Sequence, residues 1–398
     1  MKVSTARDIE SFLKDHEEEM IIFLKKLVTS ESPSRDPDSQ AEILQILKNT
    51  FESLDFYTFI VPGRKTGGFL YARPKERRKG QPIQLMIGHC DTVWKKNTLE
   101  QMPILDSEER LSGPGIFDMK AGLAQMIFAI KALKELQLES PLSPVVLINS
   151  DEEIGSFEST NTIVRIARVA KRAFILEPPL GLEGKLKTGR KGIGKFTIKV
   201  KGKPAHAGLN PEMGVSAIVE LSYHIQQLFN LNDFEKGITV NVGMIQGGSS
   251  ANVIAEESQA VVDVRVHNMD DASFIENKIL NIKPKHTGTS LQIEGGFGRP
   301  PMERTARNQR LWTLAKHIGQ SMHLELEEVT AGGGSDGNTT SLYTATLDGL
   351  GTVGDGAHAR HEFIFKEKFI ERTTLLALLL SAMDIQGEKK VESKKITA

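Results

Sequence analysis

Three short apolar runs, each leading straight into a side chain able to bind a metal, constrain this chain more than any other feature. IQLMIG ends at Gly88 and leads into His89, PVVLINS ends at Ser150 and leads into Asp151–Glu153, and Ala173–Leu176 leads into Glu177. Each run has the length and β-branched content of a buried strand, and a helical periodicity from Met119 to Leu136 separates the first two. Strands alternating with helices predict an α/β fold. They imply a mixed, largely parallel sheet with helices on both faces and right-handed crossovers. In such a sheet the residues just past the strands collect along the carboxyl edge, where α/β proteins build their sites.

The texture changes near Lys187. GRKGIGKFTIKVKGKPAHAG, GITVNVGMIQGG and SQAVVDVRVHN alternate apolar and polar residues without long helices between consecutive strands, apart from a helical pattern over Val215–Phe229. We expect residues 188–303 to be an inserted α+β domain with an antiparallel, ferredoxin-like sheet, and residues 1–187 and 304–398 to form the two segments of the α/β domain. A further helix is expected from Ile9 to Val28, ending where SESPSRDPD breaks the periodicity. No internal repeat or low-complexity block is present.

Composition narrows the class of function. A chain of 398 residues, 39% hydrophobic with a net charge of −1, has room for two domains and no charge excess that would call for nucleic acid or a membrane surface. Cys90 stands alone and cannot form an intramolecular disulfide, and a small buried residue is its simplest reading. MKVSTARDIESFLKDHEEEM lacks the apolar segment of a secretory signal, so the expected compartment is the cytoplasm. The longest apolar run, Leu375–Leu380, falls far short of the roughly 20 residues of a spanning helix. The final GEKKVESKKITA reads as a solvated tail.

The candidate residues divide by what each could do. His89 and Asp91, in GHCDTV, suit a metal ligand whose second ring nitrogen is held by a carboxylate, although a packed turn would use the same residues. Asp118, between a glycine-rich turn and a helix, is placed as an N-cap would be. Glu152 and Glu153 leave a strand in succession and so point differently, one free to ligate and the other to face a substrate; an acidic turn is the plainer alternative. Glu177 precedes two prolines that hold the chain extended. His358 and His361 lie in a glycine-rich loop where a neutral imidazole can reach a metal.

Taken in order, GHCDTV, GPGIFDMKAG, SDEEIGS, ILEPP, GKPAHAG, GGSSANVI, GGGSDGN and GAHARHE resemble the co-catalytic zinc aminoacylase and carboxypeptidase family, with the nearest likeness to its glutamate carboxypeptidase branch. The motifs run from about residue 88 to 362. The resemblance implies two zinc ions per subunit, with cobalt or manganese as possible substitutes. Asp118 would bridge them, His89 and Glu177 would complete one site, and Glu153 and His358 the other. Asp91 would orient His89, and Glu152 would act as general base. The same pattern chooses His358 over His361 as the ligand, because Glu362 follows it by four residues. The inserted domain would serve as lid and dimer interface of a homodimer, with His206 reaching the partner's active site. Asn252, Arg265 and Arg299, with the backbone of Gly333 and Gly334, would hold the substrate's carboxylate. Glutamate at position 177 goes in this family with carboxypeptidases and N-acyl amino acid deacylases. The expected substrate is therefore a small peptide or N-acyl amino acid, and the expected reaction is hydrolysis of the amide to a C-terminal amino acid, glutamate first. Deacylation of an acetyl or succinyl amino acid is the alternative, and an inactive metal-binding or peptide-binding module is a rival of a different class. Ala121 and Ala255 depart from the common pattern without touching a proposed ligand.

Overall fold

The computed structural model of the chain describes residues 3–383, so the tail GEKKVESKKITA lies outside the described residues. The chain divides into two compact units. The first comprises the described residues up to Leu186, Thr305–Glu328, and those from Tyr343 onward; the second comprises Lys187–Arg304 and Val329–Leu342.

The first unit is built on a six-stranded mixed sheet. Its strands are β1 (Phe56–Val61), β2 (Phe69–Pro74), β3 (Ile83–His89), β4 (Ser143–Asn149), β5 (Ala170–Ile175) and a short last strand, Ala345–Leu347, in the order β1-β2-β4-β3-β5-last. β3 runs parallel to β4 and β5, and β5 parallel to the last strand, while β1 and β2 form an antiparallel edge. The three apolar runs of the sequence are β3, β4 and β5, three neighbours in this sheet. Period-two alternation splits their side chains between two cores. Met86, Val146 and Ile148 face a large cluster with the helices Ala121–Glu135 and Lys366–Ser381, whereas Leu85, Ile87, Val145 and Leu147 face a smaller one with Ile163 and Ala167 of the helix Thr160–Ala167. Helices therefore cover both faces.

The run Leu375–Leu380 is fully buried inside the helix Lys366–Ser381, which packs against the helices Val3–Asp15 and Ala121–Glu135. A stretch apolar all round, such as this one, belongs in a protein core as readily as in a lipid one. None among the described residues is long and apolar enough to cross a membrane. The expected helix from Ile9 to Val28 is two helices, Val3–Asp15 and Glu17–Thr29. His16 interrupts it: its amide bonds to Leu13 O at 3.1 Å, and its ring stacks on Phe12 at 4.1 Å. Apolar periodicity continues across such a break, because both helices bury the same stripe.

The second unit holds a four-stranded antiparallel sheet of β6 (Gly192–Lys201), β7 (Thr239–Gly247), β8 (Glu257–Val266) and β9 (Ser290–Arg299), ordered β7-β8-β6-β9. With the helices Ala217–Phe229 and Met269–Leu280 this is a βαββαβ, ferredoxin-like unit. Burial alternates along β6 and β8, with Phe196, Ile198, Val200, Val262 and Val264 inside, so the alternation read from the sequence is the pleat itself.

One buried carboxylate ties this second core together. Glu220 is fully buried and accepts from Lys285 N (2.7 Å), His286 N (3.0 Å), His286 Nδ1 (2.5 Å) and His224 Nε2 (2.7 Å). Burial pushes its pKa up, but these donors outweigh burial and hold it at about 2. A pKa depressed on folding stabilises the protein fully above the ordinary glutamate value and loses that stabilisation as pH falls through the folded value. For Glu220 that is on the order of 3 kcal/mol, lost between about pH 4.5 and about pH 2. We expect the urea midpoint, followed by circular dichroism at pH 6, 4 and 3, to fall more steeply with acid in the wild-type protein than in Glu220→Gln. Parallel pH dependences would remove this carboxylate from the account.

Candidate metal centre

Five segments carry the centre of the first unit, and the first three owe their positions directly to the sheet. β3 ends at His89 and β4 at Asn149, so that Glu152 and Glu153 fall on the turn Glu152–Ile154, and Glu177 lies two residues past β5. The amide of Gly351 donates to Glu177 O at 2.8 Å, which brings the chain before His358 alongside. Asp118 sits in the irregular turn Ile116–Lys120 ahead of the helix Ala121–Glu135; its peptide bond to Met119 is cis. That helix lies close to β5 because a Cβ on Gly122 would meet Leu176 O at 2.2 Å.

His89 Nδ1 donates to the main-chain carbonyl of Asp91 at 2.9 Å. A carbonyl only accepts, so this bond places the proton on Nδ1 and leaves the Nε2 lone pair facing outward. It faces Asp118 Oδ1 at 3.1 Å and Glu177 Oε1 at 3.5 Å. The other Asp118 oxygen, Oδ2, lies 3.5 Å from His358 Nε2, which is also 3.1 Å from Glu153 Oε2. Among the described residues, the ligand atoms of His89, Glu152 and Glu177, and those of His89, Asp118 and Glu153, lie within 4.8 Å of one another. Two clusters consistent with a dinuclear metal site therefore meet at His89.

Lone pairs from two imidazoles and several carboxylates converge here, and only protons or cations make such a convergence stable. Without metal, protons take that place. Burial lowers the pKa of His89, but Asp118, Asp91 and Glu177 raise it well above the ordinary histidine value. Asp118 and Glu153 together hold His358 up at about 10. Nitrogen and oxygen donors at these separations fit divalent zinc, cobalt or manganese. Cys90 adds no thiolate, since burial pushes its pKa far up.

Asp91 acts at two points. Its carbonyl orients the His89 ring, while its carboxylate accepts from the amides of Glu152 (3.2 Å) and Glu153 (3.3 Å) and so positions both glutamates. The distance from its Oδ1 to His89 Nδ1 is 3.5 Å, longer than a hydrogen bond.

Glu362, which the sequence marked only by its spacing from His358, accepts four hydrogen bonds. Oε2 takes Gly115 N (2.8 Å) and Trp94 Nε1 (2.9 Å), and Oε1 takes Phe117 N (2.9 Å) and Asp118 N (3.0 Å). It clamps the turn that aims Asp118. Glu362→Gln puts an amide donor against these N–H groups, and we expect it to weaken metal binding about 10- to 100-fold with the fold retained. Metal titration by calorimetry reads this directly; unchanged affinity would make the clamp dispensable.

The remaining sequence-predicted residues belong to the second unit. Arg265 forms a bidentate pair with Asp263 of its own strand (2.8 and 3.0 Å) and reaches Gly332 O at 3.4 Å. Arg299 lies 3.2 Å from Asp336, and a Cβ on Gly334 would meet its Cδ at 2.9 Å. Arg190 donates to the carbonyls of Gly333 (3.2 Å) and Gly334 (3.1 Å). Arg265, Arg299 and the glycine run thus assemble around one loop. His206 and Asn252 form another pair, linked by the bond from Ala207 N to Asn252 O at 2.9 Å and a bridge from His206 to Val253. Arg190 and Asp336 escaped the sequence reading, since a single arginine between glycines and an aspartate after a serine carry no periodic signal.

The family described as peptidase dimerisation domain matches residues 188–288. Over 386 residues the chain is 29% identical to carboxypeptidase G2 of a Pseudomonas species, covering 94% of this chain and 91% of that protein. It is 27% identical to the succinyl-diaminopimelate desuccinylase of an Azoarcus species, over 78% of this chain and 86% of that one. Among solved structures it shares the fold of aminopeptidase PepT from Bacillus cereus, with a TM-score of 0.79 at 22% identity, covering 92% of this chain and 98% of that one.

Proposed function

We propose, for a chain that belongs to the M20 family of co-catalytic metal-dependent peptidases and aminoacylases, hydrolysis of the amide bond to a C-terminal amino acid, with glutamate as the first candidate. Membership of that family makes the chain a metal-dependent hydrolase of peptide or acyl-amide bonds. The observation that carries the reading is the division of one carboxylate between two histidines, Asp118 Oδ1 toward His89 and Oδ2 toward His358.

In this reading His89 and Glu177 would hold one ion and Glu153 and His358 the other, with Asp118, whose two oxygens face both histidines, contributing to both. Two zinc ions per subunit, with cobalt or manganese as alternatives, would supply Lewis acidity to the scissile carbonyl and lower the pKa of the attacking water. Glu152 takes the proton released by that water and delivers it to the departing amine. Arg265 and Arg299 read the free carboxylate of the leaving amino acid by exchanging their present partners, Asp263 and Asp336, for it, with Asn252 and the backbone of Gly333 and Gly334 beside them. The second unit also makes the protein a homodimer. Its edge strand β7 exposes Met244 and Ile245, and its helix Ala217–Phe229 exposes Ile218 and Val219, an apolar surface of the kind a second copy covers. His206 would then serve the partner's site. The compartment we assign remains the cytoplasm.

Amine release by the zinc-loaded protein tests the reading on dipeptides with free carboxyl ends, acyl-glutamates, and acetyl and succinyl amino acids. Release of the C-terminal residue from dipeptides, strongest with glutamate, is the expected result. Release from acetyl or succinyl amino acids alone moves the assignment to a deacylase. No release from any member, with metal bound, leaves a binding module.

A further inference from the structure

Gln40 occupies a place where the sequence pattern calls for an apolar side chain. Asp36 caps the helix Pro37–Ser53 by accepting from Ser39 N at 3.2 Å, and the face that turns inward carries Gln40, Ile43, Leu44, Leu47 and Phe51. The other four are core residues, and Gln40 is as fully buried as they are. A buried carboxamide is costly unless its polar atoms find partners.

Gln40 finds three. Nε2 donates to Pro33 O at 2.8 Å and to Ser150 O at 3.0 Å, and Oε1 accepts from Gly67 N at 2.5 Å. Two carbonyls and one amide around a single side chain are answered only by a carboxamide, since a carboxylate cannot give both hydrogens and a cation cannot accept. Each partner belongs to a different segment. Ser150 leads into the turn of Glu152 and Glu153. Pro33 lies in a stretch paired with the loop after His89: Thr92 N donates to Ser32 O at 2.9 Å, Ser34 N to Thr92 O at 3.1 Å, and Ser32 Oγ to Cys90 O at 2.5 Å. Gly67 belongs to the hairpin between β1 and β2, and that hairpin is fastened to the glutamate turn as well. The Glu158 carboxylate accepts from the amides of Arg64, Lys65 and Thr66 at 3.0, 3.0 and 3.2 Å, while Glu158 N donates to Asp151 Oδ2 at 2.7 Å. Two glycines make room for these side chains: a Cβ on Gly67 would meet Gln40 Cβ at 2.8 Å, and one on Gly63 would meet Glu158 Oε2 at 2.5 Å.

We propose that Gln40 is a positioning residue of the metal centre, fixing the loop of His89 and Asp91 relative to the turn of Glu152 and Glu153. The Asp91 carboxylate links these two segments through the amides of the glutamates themselves; Gln40 links them through backbone carbonyls outside the ligand set. The inference rests on the metal-dependent hydrolase reading and adds to it a residue far from the ligands in sequence.

Gln40→Met keeps the volume of the side chain and removes all three bonds. Gln84→Met is the matched control. Gln84 is also fully buried and also donates to backbone carbonyls, those of Leu142 (2.9 Å) and Leu380 (2.8 Å), but it lies at the start of β3, away from His89 at its end. Two quantities are measured on the full chain: zinc affinity by calorimetry, and the visible absorption of the cobalt(II)-loaded protein, which reports ligand geometry. Urea midpoints establish that each variant is folded. We expect about a tenfold loss of zinc affinity and an altered cobalt spectrum in Gln40→Met, and neither in Gln84→Met whatever its loss of stability. Wild-type affinity and spectrum in Gln40→Met, or equal losses in the two variants, would overturn the proposal. If the methionine variant does not fold, Gln40→Glu takes its place, because it keeps the shape and the acceptor for Gly67 N but not both donors. Its zinc affinity should fall in the same direction, and wild-type affinity there overturns the proposal equally. Amine release by the wild-type protein separates the two readings: release with unchanged metal binding in Gln40→Met sinks the positioning role alone, and no release with a selective loss of metal affinity sinks the hydrolase assignment alone.

Discussion

Glu152→Ala is expected to retain two equivalents of metal and to lose turnover by about 10²- to 10⁴-fold, the range for removing a general acid–base group. The backbone of the turn that carries Glu152 is held by another residue. The amides of Glu152 and Glu153 are held by the Asp91 carboxylate at 3.2 and 3.3 Å, so alanine leaves Glu153 where it is. The structure nonetheless brings the Glu152 carboxylate within 4.8 Å of ligand atoms on His89 and Glu177, close enough for it to serve as a ligand itself. Metal content decides between the two roles. Full metal with turnover lost identifies a base; a variant that loses one equivalent identifies a ligand and moves the base elsewhere.

Asp118→Ala should have the larger consequence, because in the proposed reading its two oxygens, facing His89 and His358, serve both ions. We expect metal content to fall from two equivalents toward none and activity to drop below detection, measured by elemental analysis and by amine release. A ligand confined to one cluster, such as Glu177, should cost a single equivalent when replaced. The metal-free Asp118→Ala protein should remain folded, since the turn Ile116–Lys120 is held from outside by the Glu362 carboxylate. If Asp118→Ala keeps one full equivalent, the carboxylate does not bridge, and the division of its oxygens between His89 and His358 is incidental.

Much of the fold was legible because its signals are local. β3, β4 and β5 announce themselves as apolar runs, and their ends lie within one or two residues of the expected positions. The alternation in β6 and β8 reports a half-buried antiparallel sheet directly. The break at His16 was not legible, since the apolar stripe runs through it. Individually the site residues were ambiguous: Asp118 read as well as an N-cap as a ligand, and the structure places it in a turn with no capping bond from its side chain. The ligand reading rested on the resemblance of their ordered motifs to a known family, not on any residue alone.

The sequence by itself determined which side chains can do the chemistry and which edge of the sheet they reach, because strand and helix periods dictate where a residue just past a strand must lie. Only the tertiary structure decided how those groups are aimed. Asp118 divides between two histidines 269 residues apart in the chain, by one oxygen each. Glu362 crosses from one end of the chain to clamp the turn of Asp118, and Arg360 comes to stand beside Lys95 and Lys96. No local period encodes such pairings. They follow from close packing of distant segments, which specifies position to a fraction of an ångström only after the whole core has formed.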